Sequence, residues 1–185
     1  IGFSVTGGFT IDTVTAGGAT YAGVSATVVN AQLLGISALD LWVSGSVKYN
    51  HSPTANRIDW DTATKGDNDL QGLLADLTIT KAVKLQASGS GSLNLGSGKV
   101  VASVTDFTLS IATMDEVVTG NDALGTAGLL EDADVVSVSV TSASLFVGTG
   151  HGGLDGTTHL PKALTGSEIG FSVTGGFTID TVTAG

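Results

Sequence analysis

Apolar and polar residues alternate with a period of two along most of the chain. The alternation is clear at Phe3, Val5, Phe9 and Ile11, and it returns around residues 39–50, 77–95 and 134–148. A period of two places successive side chains on opposite faces of a strand, as in antiparallel sheets with one buried face. The sequence therefore predicts an all-β fold, an elongated antiparallel meander rolled into a barrel- or sandwich-like rod. A β-solenoid is the alternative.

Glycine clusters indicate where strands end. Gly7-Gly8 in VTGGFT accepts positive φ at both central positions of a tight turn, so this stretch is predicted to be a hairpin. Gly17-Gly18 and Gly96-Ser97-Gly98 predict further turns. Residues 51–69, which hold Pro53 and four Asp residues, predict a long loop with a short strand at residues 58–60.

The first 17 residues, IGFSVTGGFTIDTVTAG, recur unchanged at residues 169–185. Because the two copies start 168 residues apart, we interpret residues 1–168 as one tandem repeat and residues 169–185 as the start of the next. No linker rich in Pro or charge separates them, so units are expected to stack end to end in a continuous rod. The expected interface residues are Ile1, Phe3, Val5, Phe9, Ile11, Glu168, Ile169, Phe171, Val173, Phe177 and Ile179.

Composition narrows the classes of function. The chain has 17 acidic and seven basic residues, a net charge of −10, and its basic residues are scattered. Nucleic-acid binding needs clustered Lys and Arg, so it is not expected. There is no Cys, which excludes disulfides and thiol catalysis. No apolar run approaches the roughly 18 residues of a membrane-spanning helix, so no transmembrane segment is predicted.

One acidic cluster is a candidate cation site. Asp59, Asp61, Asp67 and Asp69 lie in DWDTATKGDND, and Ca²⁺ binds closely spaced carboxylates and carbonyls. The stretch lacks the spacing and terminal Glu of an EF-hand, and an acidic loop whose Asp residues cap turns is the alternative. A second candidate, HGGLDGTTH, spaces His151, Asp155 and His159 four residues apart, but its glycines argue against a helix.

Catalytic chemistry has no support in the sequence. The chain contains no nucleophile elbow, phosphate-binding loop or metalloprotease helix, so an enzyme is not predicted. Trp42 and Trp60 could form a platform for a sugar ring, but packing residues of a sheet-rich core are the preferred interpretation.

The stretch TYAGVSATVVNAQLLGISALDLWVSGSVKYN, followed by ADVVSVSVTSASLFVGTG and IGFSVTGGFTIDTV, resembles the tandem β-repeats of giant bacterial surface proteins. The resemblance covers most of the 168-residue unit and implies an extracellular or cell-surface filament, stalk or matrix protein, whose partners are copies of the same repeat. The alternating, glycine-punctuated style also resembles bridge-type lipid-transfer proteins. The alternative function is therefore a binding module with a Ca²⁺-dependent adhesive surface or a lipid-holding groove. A groove lined wholly by apolar residues would indicate lipid.

Overall fold

The structure is a computed structural model that describes residues 2–34, 36, 38–65, 68–69, 72–118 and 129–184. The side chains of residues 3, 33, 34, 115–118, 129 and 131 are not described. Seven strands and one short helix make up the regular structure of this part of the chain. They are β1 (Gly2–Ala16), β2 (Ala19–Leu34), β3 (Leu39–His51), α1 (Trp60–Ala63), β4 (Val83–Leu95), β5 (Val100–Val118), β6 (Leu129–Thr149) and β7 (Ile169–Thr183).

All seven strands form one sheet in the order of the sequence, β1 to β7. Every neighbouring pair is antiparallel, so the predicted all-β antiparallel meander is confirmed. This pairing differs from the parallel coil stacking of a solenoid. The sheet is open, with β1 and β7 as its two edges, and closure into a barrel or sandwich stays a prediction for the repeated array.

The hairpin predicted at Gly7-Gly8 is wrong. β1 continues through both glycines without a turn and pairs with β2 from Gly2↔Leu34 to Ala16↔Ala19. The turn lies instead at Gly17 and Gly18, whose φ angles of 58° and 83° suit a two-residue hairpin. Because β2 is 16 residues long, it pairs with the whole of β1, and a turn at Gly7 would forfeit most of that ladder.

Four register irregularities lie at the same height across the sheet, and another lies apart from them, between Val83 and Leu85 in β4. The four fall between Thr6 and Gly7 in β1, between Val28 and Ala31 in β2, between Gly89 and Gly91 in β4, and between Val140 and Ala143 in β6. We call this transverse row the bulge line. A bulge bends its strand and increases the local twist, so the bulge line bends the sheet along one direction.

The register gives the sheet two different faces. One, the serine face, carries cross-strand hydroxyl pairs such as Ser46–Ser88 at 3.0 Å and Ser103–Ser144 at 2.8 Å between Oγ atoms. The other is the apolar face. Its described residues include Val5, Phe9 and Ile11 on β1; Val24, Ala26 and Val28 on β2; Leu41, Val43 and Val47 on β3; Leu85, Ala87 and Leu93 on β4; Val104, Phe107 and Leu109 on β5; Val136, Val138, Val140 and Leu145 on β6; and Phe171, Val173, Phe177 and Ile179 on β7.

The described part of segment 52–82 covers one end of the serine face. Its fully buried Trp60, Leu77 and Ile79 pack against Val14 and Tyr21 of the first hairpin. The Trp60 indole Nε1 donates to Asn50 Oδ1 at 3.0 Å, which fixes the cover to β3.

Two predictions about this segment are wrong. Trp60 begins helix α1 rather than ending a strand, and the strand expected from residue 77 begins only at Val83.

Segment 150–168 covers the other end of the serine face. The His159 ring stacks on Trp42 with ring centroids 3.3 Å apart, and buried His151 lies against Phe146 with centroids 4.9 Å apart. Both covers therefore lie on the more polar face. On the apolar face, side chains such as Phe9, Val43 and Leu145 remain exposed.

Candidate functional site

The described members of the predicted calcium cluster each have a local structural role. Asp59 caps α1 by accepting the Thr62 N–H at 3.1 Å, and Asp69 accepts the N–H groups of Leu73 and Leu74 at 3.1 and 2.8 Å. Asp61 binds the Lys65 ammonium at 2.6 Å, a contact that raises the pKa of Lys65. Asp67 lies outside the described residues. Within the described ranges, no group of three or more His, Asp or Glu residues could hold a metal ion, and calcium binding stays a prediction.

The HGGLDGTTH stretch stabilises its own loop. Asp155 accepts the N–H groups of Thr158 and Thr157 at 2.8 and 3.0 Å, and these bonds lower the pKa of Asp155. His151 Nδ1 accepts the Gly153 N–H at 2.9 Å, while the His159 ring stacks on Trp42. Trp60 is fully buried and Trp42 stacks on His159, so both Trp residues pack against other residues, as the preferred interpretation expected.

The repeated segment forms both edges of the sheet. Its first copy is β1, paired with β2, and its second copy is β7, paired with β6. Phe9 faces Ala26 and the equivalent Phe177 faces Val140, so both lie on the apolar face. Both copies therefore present the same residues to the same faces, although their partners lie on opposite sides.

The central glycine pair of the segment serves different partners in the two copies. In β1, a Cβ built on Gly7 would collide with the carbonyl oxygen of Thr27 on β2, whereas a Cβ on Gly8 would meet open space. In β7 the roles are reversed. A Cβ on Gly176, the equivalent of Gly8, would collide with carbonyl oxygens of β6, and a Cβ on Gly175 would meet open space. Each copy thus uses the glycine that the other leaves free.

A third glycine follows the same rule. A Cβ on Gly2 would meet open space, but one on its equivalent Gly170 would collide with the carbonyl oxygen of Val147 on β6. Neither copy by itself requires all three glycines. A strand with β2 on one side and β6 on the other would require all of them.

The two copies differ in how their serine faces are covered. Asp12 is only 8% exposed, and its Oδ2 accepts the Ala75 N–H of the covering segment at 3.0 Å. The equivalent Asp180 is exposed, like every other described residue of β7. The predicted interface side chains that the structure describes on the two edge strands are exposed, whereas Glu168 is half-buried in the turn before β7. Ile1 and the side chain of Phe3 lie outside what the structure describes.

Glu168 fixes the turn that leads into β7. Its carboxylate accepts the Thr165 N–H at 2.9 Å and the Gly166 N–H at 2.9 Å. These backbone hydrogen bonds, the Thr165 bond first among them, lower the pKa of Glu168 to about 2. The carboxylate therefore acts as a turn cap directly before the second copy of the 17-residue segment.

The apolar face contains a trough at the bulge line. Residues of β2 to β5, among them Ala26, Val43, Gly45, Ala87 and Gly89, surround a volume of about 380 Å³. The described residues around it include no charged side chain, and the hydroxyls of Ser46 and Ser88 pair with each other on the serine face. Exposed apolar surfaces are found at protein–protein contacts, at ligand-binding grooves and at membrane contacts.

No family model, curated protein or solved structure matches the chain. In the portion that the structure describes, no helix is long and apolar enough to cross a membrane.

Proposed function

We propose that the chain is a structural repeat of an extended protein in which successive units form one continuous antiparallel sheet. β7 of one unit is at the same time β1 of the next, so that the repeated segment pairs with β6 on one side and with β2 on the other. The observation that carries this proposal is the division of contacts between Gly7 and Gly176. Resemblance to giant surface proteins supports an extracellular filament or stalk.

The geometry of the sheet is compatible with unlimited extension. Each 168-residue period contributes six strands, an even number, so the shared strand keeps its direction and its faces from unit to unit. At about 4.8 Å between strands, one period extends the sheet by about 29 Å.

The charge of the period also favours an extended form. Without the duplicated Asp180, one period has 16 acidic and seven basic residues, a net charge of −9. Like charges along the filament would favour an extended, soluble form.

The same arrangement would complete the cover of the junction. In a second unit, the segment equivalent to residues 52–82 would lie over β7 as it lies over β1 here. Asp180 would then accept a backbone N–H as Asp12 accepts that of Ala75.

Chains of one, two and three units test the proposal. A shared strand makes each junction part of one sheet, so the midpoint of urea unfolding should rise with the number of units. Alanine at each of the two central glycines of a junction copy supplies a matched probe. In the single chain each copy tolerates one of the two changes, Gly8→Ala in β1 and Gly175→Ala in β7, whereas a junction strand paired with both β6 and β2 should be destabilised by either change. Equal midpoints for all three lengths would refute the shared strand.

We further propose, as a second candidate function, that the trough holds the acyl chain of a lipid. The support is the apolar lining with its glycine floor at Gly45 and Gly89. A facing sheet stays about 10 Å away and would leave a void above such a floor. A thin, flexible hydrocarbon chain could enter it.

The fluorescent fatty acid cis-parinaric acid tests this second candidate in the full chain. Val43→Asp places a charge beside the trough and should weaken binding at least about tenfold. Thr108→Asp is the control, because Thr108 lies opposite Ser88 on the serine face and does not line the trough, and it should leave binding unchanged. Equal binding by both variants, or no binding by the parent chain, would rule out the trough as the site.

A further inference from the structure

The two copies of the 17-residue segment form the two edge strands of the sheet. Strands β2 to β6 have two outer edges, and each edge is covered by one copy. Within the proposed array, one copy would serve both edges. The chain therefore carries its own edge covers, and each cover has the sequence of a neighbour's junction strand.

The free edges of the two copies match the edges that the other copy covers. β7 leaves Gly175 open, and its counterpart Gly7 is the glycine that approaches Thr27 on β2. β1 leaves Gly8 open, and its counterpart Gly176 is the glycine that approaches Thr141 on β6. The outer edge of β7 thus has the shape that fits β2, and the outer edge of β1 has the shape that fits β6.

We propose that separate copies of this chain join by strand displacement at these edges. The partner is a second copy of the chain, and the inference rests on the proposed function. β7 of one chain, still paired with its own β6, takes the place of β1 on β2 of the next chain. Displacement of β7 by a neighbour's β1 gives the same junction. The displaced edge strand is released: it is β1 of the next chain in the first case and β7 of the first chain in the second.

In the parent chain, strand displacement should change the free energy very little. One ladder of about 15 residue pairs is lost, and an equivalent ladder of identical sequence is gained. The parent chain should therefore stay monomeric at moderate concentration. A defect in either copy removes the balance, because the defective copy competes poorly with the intact copy of a neighbour.

Paired proline substitutions create such a defect in the full chain. Adjacent strand residues direct their N–H groups to opposite edges, so two consecutive prolines remove a ladder bond on each edge. The first variant is Thr10→Pro with Ile11→Pro in β1. The matched variant, Thr178→Pro with Ile179→Pro, changes the same dipeptide in β7. A third variant carries all four substitutions and has open edges but no intact segment to fill them.

Size-exclusion chromatography with light scattering measures the result. Both two-site variants should form head-to-tail oligomers, whereas the parent chain and the four-site variant should be monomers. Excess synthetic IGFSVTGGFTIDTVTAG should return either two-site variant to a monomer with one bound peptide, because it fills the open edge.

Two results would overturn the inference. Monomeric two-site variants would show that the free edges do not accept a second copy. Equal assembly of the four-site variant would show general adhesion of open edges or of the apolar face. If linked units stabilise one another while the two-site variants stay monomeric, only exchange between separate chains is refuted, and the shared strand stands.

Discussion

β1 and β7 have the same sequence and the same extended conformation, but they differ in what surrounds them. β1 lies under the Trp60 cluster, and its Asp12 is buried. Every residue of β7 is exposed, and Asp180 is among them. On the apolar face the two copies are alike in being uncovered, since Phe9 is 75% exposed and Phe177 is 52% exposed. The strand conformation thus follows from the sequence and its pairing, whereas burial follows from the neighbouring segments.

The comparison also indicates which glycines are required by which neighbour. A single copy would suggest that either Gly7 or Gly8 is dispensable. The two copies together account for both, since Gly7 meets β2 and Gly176 meets β6. Four predictions test this difference between the edges, from the largest expected effect to the smallest.

Loss of the Trp60 side chain should affect β1 far more than β7. Trp60→Ala removes the centre of the cluster that covers β1, and we expect a loss of about 3–5 kcal/mol in the free energy of unfolding. Below the unfolding transition, amide exchange should accelerate at Val14 and Tyr21 but not in β7. Trp42→Ala is the control, because it removes the stack at the other end of the serine face. Equal acceleration in both edge strands would contradict the assigned cover.

Alanine at the central glycines should give opposite results in the two copies. Gly7→Ala and Gly176→Ala force a methyl group against backbone carbonyls, and each should cost about 1–3 kcal/mol. Gly8→Ala and Gly175→Ala should stay within about 0.5 kcal/mol of the parent. Urea unfolding of the four variants measures the pattern. A uniform cost at all four positions would mean that glycine is needed only for the strand itself.

Removal of the repeated aspartate should also distinguish the edges. Asp12→Ala leaves the Ala75 N–H without its carboxylate acceptor, and we expect a loss of about 1 kcal/mol. Asp180→Ala should change the stability of the single chain very little. In a chain of two units, replacing the junction aspartate with alanine should lower the free energy of unfolding by as much as Asp12→Ala does. A junction aspartate that stays neutral would argue against cover by the second unit.

The Glu168 turn should give the smallest effect, and one that depends on pH. The pKa of Glu168 falls from 4.5 to about 2 on folding, so its contribution to stability is complete above about pH 4.5 and is lost as the pH falls through 2. The parent should therefore be more stable than Glu168→Gln at neutral pH, and the gap should close near pH 2. Asp180→Asn, at a residue that caps no described turn, is the control. A gap independent of pH would contradict the turn cap.

The strands and their order could largely be predicted from the sequence. Alternation depends on local residue type, and a meander pairs each strand with its neighbour along the chain. Gly7-Gly8 and Gly17-Gly18 mark the limit of such reasoning. The same dipeptide continues a strand in one place and forms a turn in the other, because β2 is long enough to pair with all of β1. That length is a property of the partner strand and not of the glycine pair.

The covers of the serine face could not be predicted from periodicity. Leu77 and Ile79 continue the alternation of β4, yet they leave the sheet and pack with Trp60 over β1. The doubled segment predicts an interface between units, and this stays a prediction. The separate contacts of Gly7 and Gly176 could not be predicted from the sequence, because they depend on carbonyl positions in β2 and β6, which lie far away in sequence.

The nearest-neighbour order of the strands also determines how the molecule would respond to force. Tension on the two termini pulls across the strands, along their hydrogen bonds, so ladders open one after another instead of shearing together. Each period would then release 168 residues, which reach about 570 Å when extended, from a sheet about 29 Å wide. A tether built from this sheet would lengthen roughly twentyfold at low force before its backbone carried the load, and it would recover as the strands paired again.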